Sequence, residues 1–315
     1  MVKILVIGDL HGRTPKIHTK DFDGIACVGD FGNDKEIAPY YKKMFKELKK
    51  NPEADTDINQ IILNSVGKKE FEAMHKRSLK KGNKILKYLD SFGKPIFLVA
   101  GNWDQSYGPS RIKDLSKSDY NYLKSFSDWF LGDKINPIIT KGCKNIKNCM
   151  FKLHKSNNLN FVGYGLSSGP EKKTKSSKRG SNLTFTKTEY KKLQKAHDKI
   201  KNKLEKAYKK RDKKFPTFFI THNIPYKTKL DKINHKGSYA HGKHNGSTIA
   251  RDFCTKHQPL ICIGGHIHEG IGKDKIKKTT IINPGFGQNA QVLVEIDEQK
   301  NKIKKIKFFE KKTQK

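Results

Sequence analysis

The sequence predicts an α/β sandwich, and three observations lead to it. Short apolar runs recur, several ending in a small residue and then a polar one; helical patterns separate the early runs; and strand-like runs cluster near the C-terminus. Alternating helices and strands followed by a strand cluster depart from a simple doubly wound sheet.

Runs of four to eight apolar residues bounded by glycine or polar residues read as buried strands. They are Val2–Ile7, Gly24–Val28, Pro95–Ala100, Leu159–Tyr164, Pro216–Ile220 and Pro259–Ile263. The first of them, in MVKILVIGDL, lacks a charged leader and stops at an acidic residue, so it reads as a strand and not as a signal peptide. Between Asp30 and Asn102, Asp34 is placed to cap a helix carrying Ile37, Tyr41, Met44 and Leu48 on one face. Phe71, Met74, Ile85 and Leu89 predict a second helix or helix pair, interrupted near Gly82. Thr186 and Glu189 form a capping-box pattern, followed at helical spacing by Tyr190, Leu193, His197, Ile200, Leu204 and Tyr208. His197 on that apolar face reads as a packed residue. The C-terminal meander comprises Ile276–Ile282, Gln291–Ile296 and Lys302–Phe309. One domain over 1–315 is expected, with a helical insertion at about 35–92 and a basic helical segment at about 171–214.

No apolar run approaches the eighteen or so residues that span a membrane. The expectation is a soluble cytoplasmic protein of unassigned oligomeric state. The five cysteines are odd in number and include no CxxC pair, which suggests neither a disulfide framework nor a structural zinc site; Cys143 and Cys149 could pair, but reduced thiols are the expectation. The net charge of +35 attracts polyanions. Yet only Arg13, Arg77, Arg111, Arg179, Arg211 and Arg251 are arginines, and lysine is a hydrated point charge without the bidentate fork. Nucleic acid is therefore a partner the charge allows but does not favour.

Chemistry concentrates where the strands end. Ile7-Gly8 leads to Asp9-Leu10-His11, Val28-Gly29 to Asp30, Ala100-Gly101 to Asn102, Ile220-Thr221 to His222, and Gly264-Gly265 to His266-Ile267-His268. Ligands gather at the carboxyl ends of strands in open α/β folds. Carboxylates, imidazoles and a carboxamide converging there make a mixed N/O donor set suited to Mn, Fe, Zn or similar ions.

The order DxH, GD, GN, H, GHxH from Asp9 to His268 resembles the calcineurin-like metallophosphoesterases, and His222–Tyr226 with Asn283-Pro284-Gly285 is similar to their compact prokaryotic and archaeal members. The resemblance implies a four-layer α/β/β/α sandwich and two divalent metal ions (Mn favoured; Fe, Zn, Ni or Mg as alternatives). Asp9, His11 and His268 would hold one, and Asn102, His222 and His266 the other, with Asp30 bridging. It implies hydrolysis of a phosphomonoester or phosphodiester, the paired cations acidifying a shared water. His266 and His268 lie two apart, so a turn or bulge must let them reach different ions.

The sequence departs from the family pattern twice. Asn33 stands where GD often continues to a second aspartate. The GNH[DE] motif reads Gly101-Asn102-Trp103-Asp104, and an indole cannot shuttle a proton near neutral pH. The catalytic set is then Asp30, Asn102 and Asp104, with Asp104 expected to orient an imidazole ligand. Trp103, His241 and His244 are the candidate substrate residues, the two histidines lying in the Gly-rich stretch Gly237–Gly246. Two other functions stay open. One is a catalytically weak scaffold that keeps the fold; the other is a nuclease acting on single strands, which aromatic residues interleaved with lysines along a groove would favour.

Overall fold

The structure, a computed structural model, describes residues 1–51, 58–104, 135–165, 187–238 and 240–309. Along the chain run β1 (Val2–Ile7), β2 (Gly24–Cys27), α1 (Ala38–Lys50), α2 (Ile58–Asp90), β3 (Ile96–Leu98), α3 (Pro137–Thr140), β4 (Ile146–Asn148), β5 (Leu153–Ser156), β6 (Leu159–Tyr164) and α4 (Lys187–Tyr208). There follow β7 (Thr217–Asn223), α5 (Thr248–His257), β8 (Ile261–Gly265), β9 (Gly272–Ile276), β10 (Thr279–Asn283), β11 (Gln291–Asp297) and β12 (Lys302–Phe308).

Two mixed sheets result. The first has the order β12-β11-β1-β2-β3-β4 and the second β5-β6-β7-β8-β10-β9. In the first, β1, β2, β3 and the edge strand β4 run parallel while β11 and β12 pair antiparallel on the other side; in the second, β6, β7, β8 and β10 run parallel between the antiparallel edge strands β5 and β9. The period of two in a strand sorts the core. Phe161, Phe218, Ile261 and Ile263 of the second sheet join Ile4, Phe97 and Leu98 of the first, and Phe97 stacks on Phe161 with centroids 3.6 Å apart. Their neighbours Val162, Phe219 and Cys262 turn the other way, onto Ile200 and Leu204 of α4 and Phe253 of α5. Leu86 and Leu89 of α2 pack in the cluster of the first sheet. The layers are thus helix, sheet, sheet, helix: the α/β/β/α sandwich.

Several local expectations need correction. Asp34 does not cap α1 with its side chain; its backbone C=O accepts from Ile37 and Ala38, and its carboxylate accepts from Arg13. The long helix α2 breaks at Gly67 (φ 74°) and continues through Gly82. Gly82 is instead a contact point: a Cβ there would lie 3.1 Å from the backbone of Phe31, so the missing side chain lets α2 sit on the loop after Asp30. The expected strand Ile276–Ile282 is a hairpin, turned at Lys277 (φ 50°). Strands β4 and β5 and helix α5 were not foreseen. The Thr186 cap lies outside the described residues. The long basic helix is present, with His197 buried on its inner face. The described cysteines are free thiols, and no described helix is long and apolar enough to cross a membrane.

Candidate metal centre

Asp9 and His11 follow β1, Asp30 follows β2, Asn102 follows β3, His222 sits near the end of β7, and His266 and His268 follow β8. His11, Asp30 and His266 take positive φ values of 44°, 56° and 65°. L-residues rarely occupy that region, at about 1–3 kcal/mol each, and surrounding bonds must hold them there. Here Leu10 and His11 both donate their backbone N–H to Asp30 O, at 3.1 and 2.8 Å. Two glycines of the motifs are required by close approach. A Cβ on Gly101 would lie 2.1 Å from Asp30 Oδ1, and one on Gly265 2.4 Å from Asp9 Oδ1.

The corners bring together two groups: Asp9 with His11 and His268, and Asp30 with His222 and His266, the donor atoms within each lying no more than 4.8 Å apart. Asn102 belongs with the second, its Oδ1 2.8 Å from His222 Nε2 and 3.1 Å from His266 Nδ1. Asp30 lies between the groups. Its Oδ1 accepts from Trp103 N–H at 2.9 Å, while its Oδ2 is 3.3 Å from His11 Nε2 and 3.4 Å from His222 Nε2. The separation of His266 from His268 comes from a turn: β8 stops at Gly265, and Ile267 donates to Gly265 O at 2.7 Å. His268 Nε2 then reaches to 3.5 Å from Asp9 Oδ2. Its side chain is 41% exposed, so the cleft opens to solvent beside it.

The electrostatics of this cluster match a cation site. His222 is fully buried, and burial lowers its pKa, which keeps the ring neutral. Its Nδ1 lies 2.9 Å from Val28 O, so Nδ1 carries the proton and donates it to that carbonyl. Nε2 therefore presents a lone pair to Asn102 Oδ1 and Asp30 Oδ2, which are acceptors as well. Three lone pairs converge with no proton among them, and a metal ion satisfies all three. Burial, with His222 next to it, depresses His266 to about 3. Burial and the charge of Asp30 push Asp9 well up; for Asp30 burial is outweighed by His222 and His11, which hold it below the usual carboxylate range. Asp9 Oδ1 and both ring nitrogens of His11 are buried without a hydrogen bond. Orphaned buried atoms of this kind call for an ion.

Asp104 departs from the expected role. It contacts no imidazole through its hydrogen bonds. Its oxygens accept from the backbone N–H of Asp30 (2.6 Å), Phe31 (2.9 Å), Gly32 (3.1 Å) and Gly101 (3.0 Å), tying the Asp30 and Asn102 corners together. Burial, with the Asp30 charge next, pushes it up to about 7. Asn33 lies against Gly12, one residue past His11. His241 and His244 are not part of either donor group. His241 is exposed in its turn, and His244 Nδ1 is 2.8 Å from the buried Asp231 carboxylate. Trp103 sets its indole edge-on to His11, centroids 5.5 Å apart, and packs with the insertion's Ile37, Ile62 and Phe71 cluster.

Three neighbours escaped the sequence reading. Phe286 stacks on His268 at 4.2 Å, Arg13 lies over Phe286 at 4.7 Å, and Arg13 Nη1 donates to Asp34 and to His11 O. Arg13 stands two residues past His11 and Phe286 directly after Asn283-Pro284-Gly285; proximity to the motifs was the available signal.

A solved structure superposes on 98% of this chain and 99% of its own, with TM-score 0.55 and 14% identity. A putative 5'-nucleotidase from Staphylococcus aureus, in complex with alpha-ketoglutarate, overlaps 94% of this chain and 51% of its own at TM-score 0.36 and 12% identity. The sulfate thiohydrolase SoxB of Thermus thermophilus gives 97%, 55%, 0.36 and 13% for the same quantities. An uncharacterized protein of Methanocaldococcus jannaschii, MJ1162, is 31% identical over 135 residues, which is 42% of this chain and 51% of that protein. The chain thus spans about half the length of the curated relative it matches. The family model for calcineurin-like phosphoesterases matches residues 2–270, a stretch containing both donor groups, every strand-end motif and all but the last strands of the sandwich. The chain belongs to the calcineurin-like phosphoesterase family.

Proposed function

We propose that this chain is a binuclear-metal phosphoesterase that hydrolyses a phosphomonoester or phosphodiester. Asp9, His11 and His268 hold one divalent ion, Asn102, His222 and His266 the other, and Asp30 is shared. The carrying observation is the placement of Asp30 Oδ2, 3.3 Å from a nitrogen of one group and 3.4 Å from a nitrogen of the other. When bound, paired cations supply an acidified water, orientation of the phosphoryl oxygens and neutralisation of charge developing at phosphorus.

The chain's own residues prepare that chemistry. Trp103 N–H fixes Asp30 Oδ1, leaving Oδ2 to face both groups. Val28 O fixes the tautomer of His222. Asp104 holds the two corners in register through four backbone bonds. Mixed imidazole, carboxylate and amide oxygen donors suit manganese, with iron, zinc, nickel and magnesium as alternatives. With Trp103 at the family's histidine position, no imidazole there protonates the leaving group. General acid help is commonly worth about 10²–10⁴-fold, so esters with acidic leaving groups are the favoured substrates.

The test is a manganese-supplemented screen of nitrophenyl phosphomonoesters and phosphodiesters on the wild type and Asp30→Asn. Hydrolysis by the wild type and its near-complete loss in the variant support the reading. A wild type that binds two ions yet cleaves no activated ester supports the scaffold alternative.

A further inference from the structure

Strand β4 is an edge of the first sheet and β5 an edge of the second. The turn that joins them and the C-terminal part of α4 together line a cavity of about 490 Å³. Its apolar lining is Ile135, Met150, Ala207 and the half-buried ring of Phe151. Four lysines complete it: Lys152 from the turn, and Lys203, Lys206 and Lys210 at steps of three and four along α4 and the residues after it. No acidic residue lines the cavity. Glu205, on the same helix, is engaged elsewhere, its Oε1 lying 2.8 Å from Lys256 Nζ and 3.0 Å from His257 Nε2 on α5. Lys152, Lys206 and Lys210 make no ion pair with a described residue. None of the lining residues is a metal-donor candidate, yet the floor is bonded to the β3 corner. Ala100 N–H donates to Met150 Sδ at 3.4 Å, and Asn136, next to Ile135, donates its N–H to Asp104 O at 2.8 Å.

Phe151 sits in this lining against its backbone preference. Its φ of 52° lies in the left-handed region, where a bulky side chain is an outlier. Two backbone bonds hold it there, Phe151 N–H to Gly163 O at 3.0 Å and Lys152 N–H to Cys149 O at 3.2 Å. The next turn, between β5 and β6, places Asn157 (φ 49°) and Asn158 (φ 55°) in the same region, the ordinary choice. A ring where asparagine or glycine suits the backbone points to a use for the ring itself. Part of it packs on the core clusters of both sheets, and part lines the cavity, with Lys203 Nζ 5.5 Å from its centroid. An aromatic face ringed by ammonium groups matches a ligand with a flat ring at one end and several negative charges at the other. We propose that the cavity is a binding site for a nucleoside polyphosphate. The base lies on Phe151 between Met150 and Ile135, and the phosphates meet Lys152, Lys203, Lys206 and Lys210. Asn148 is the polar group left for the base edge: its Oδ1 accepts from Met150 N–H at 3.0 Å, and its amide nitrogen donates to no described residue. The volume falls in the range of about 300–1,000 Å³ usual for small-molecule sites. No bond forms or breaks on binding, and the site is independent of the phosphoesterase reading above.

The test titrates adenosine 5′-(β,γ-imido)triphosphate into the manganese-loaded full chain, freed of excess metal, and reads affinity by calorimetry at about 0.15 M salt. Inorganic tripolyphosphate, which keeps the charge and lacks the ring, is the comparison. Stacking predicts that the nucleotide binds about tenfold or more tightly than tripolyphosphate. Lys206→Glu should lower nucleotide affinity about tenfold or more. Lys49→Glu, the same charge change on the exposed face of α1, should alter it by less than about twofold. Phe151→Gly, which suits the φ of 52°, should bring the nucleotide down to the level of tripolyphosphate, and Phe151→Tyr should keep the difference. Should Phe151→Gly fail to fold, the two lysine variants and the ratio between the probes decide. Equal affinity for both probes in the wild type overturns the proposal. Equal effects of Lys206→Glu and Lys49→Glu also overturn it, since general attraction to a polycation would then account for the binding. Binding abolished by Asp30→Asn and untouched by Lys206→Glu places the nucleotide on the metal centre and overturns it as well.

Discussion

Trp103 holds two things at once: its backbone N–H fixes Asp30, and its indole lies against His11 on one side and Tyr41 on the other. Trp103→His would keep the first contact and supply a proton donor, while giving up the indole's contacts with His11 and Tyr41. We expect wild-type rates to depend steeply on leaving-group pKa, and the variant to flatten that dependence and gain up to about 10²-fold on alkyl esters. A matched series of aryl and alkyl phosphodiesters measures both slopes. Asp104 behaves differently, because it acts on backbone. Asp104→Ala strands four buried N–H groups and should cost about 2–4 kcal/mol in denaturant unfolding, together with roughly tenfold or more in metal affinity. An unaltered unfolding midpoint would remove Asp104 from its place as the clamp. Protonation gives a further residue-scale expectation. Asp9 is pushed well up, so in the apo-protein it retains a proton that an incoming cation must displace. Asp30, held low, is already ionised. Cations relieve the same carboxylates, so the Tm increase on adding manganese should grow with pH; an increase that shrinks from pH 5 to 8 would contradict this.

At the scale of elements, the site depends on how closely the two sheets and α2 approach. Phe97 on Phe161 is the central contact between sheets, and Phe161→Ala should cost about 3–5 kcal/mol of unfolding free energy. These contacts also show what the sequence could disclose. Strands β1 and β6 were legible to the residue, because short, mostly apolar runs closed by glycine have few other readings. The residues brought into the donor groups lie at or just past the ends of such runs, as Asp9 after β1 and His266 after β8. Strands β4 and β5 were not, since Ile146–Asn148 and Leu153–Ser156 are short, part-exposed edges whose lysines break any alternation. Helix α5 carries a sound signal in Ser247, which accepts from Ala250 N–H, and in Ile249 and Phe253, but it was hidden behind a Gly-rich stretch. The break at Gly67 and the continuity at Gly82 illustrate a tertiary effect. A glycine in a helical pattern marks either a φ the helix cannot take or a surface another segment must reach, and only packing distinguishes them. The imidazole role expected of Asp104 failed likewise, because backbone donors leave no trace in a sequence.

For the whole molecule, charge is the dominant feature. The lysines responsible for the net charge of +35 are spread over most helices, so long-range attraction to polyanions should be broad and steeply salt-dependent. Affinity for DNA or RNA should be weak and collapse with rising salt. Length-selective duplex binding at about 0.3 M salt would instead point to a built groove. The most direct measurement of the central claim couples metal content to turnover. Manganese is titrated into metal-free protein while bound ion per chain and bis(nitrophenyl) phosphate hydrolysis are followed together, for the wild type and Asp30→Asn. A shared carboxylate predicts two ions per chain, with activity appearing as the second ion binds, and loss of both second-ion binding and activity in Asp30→Asn. Full activity at one ion per chain, or two ions retained with undiminished hydrolysis in Asp30→Asn, would contradict it.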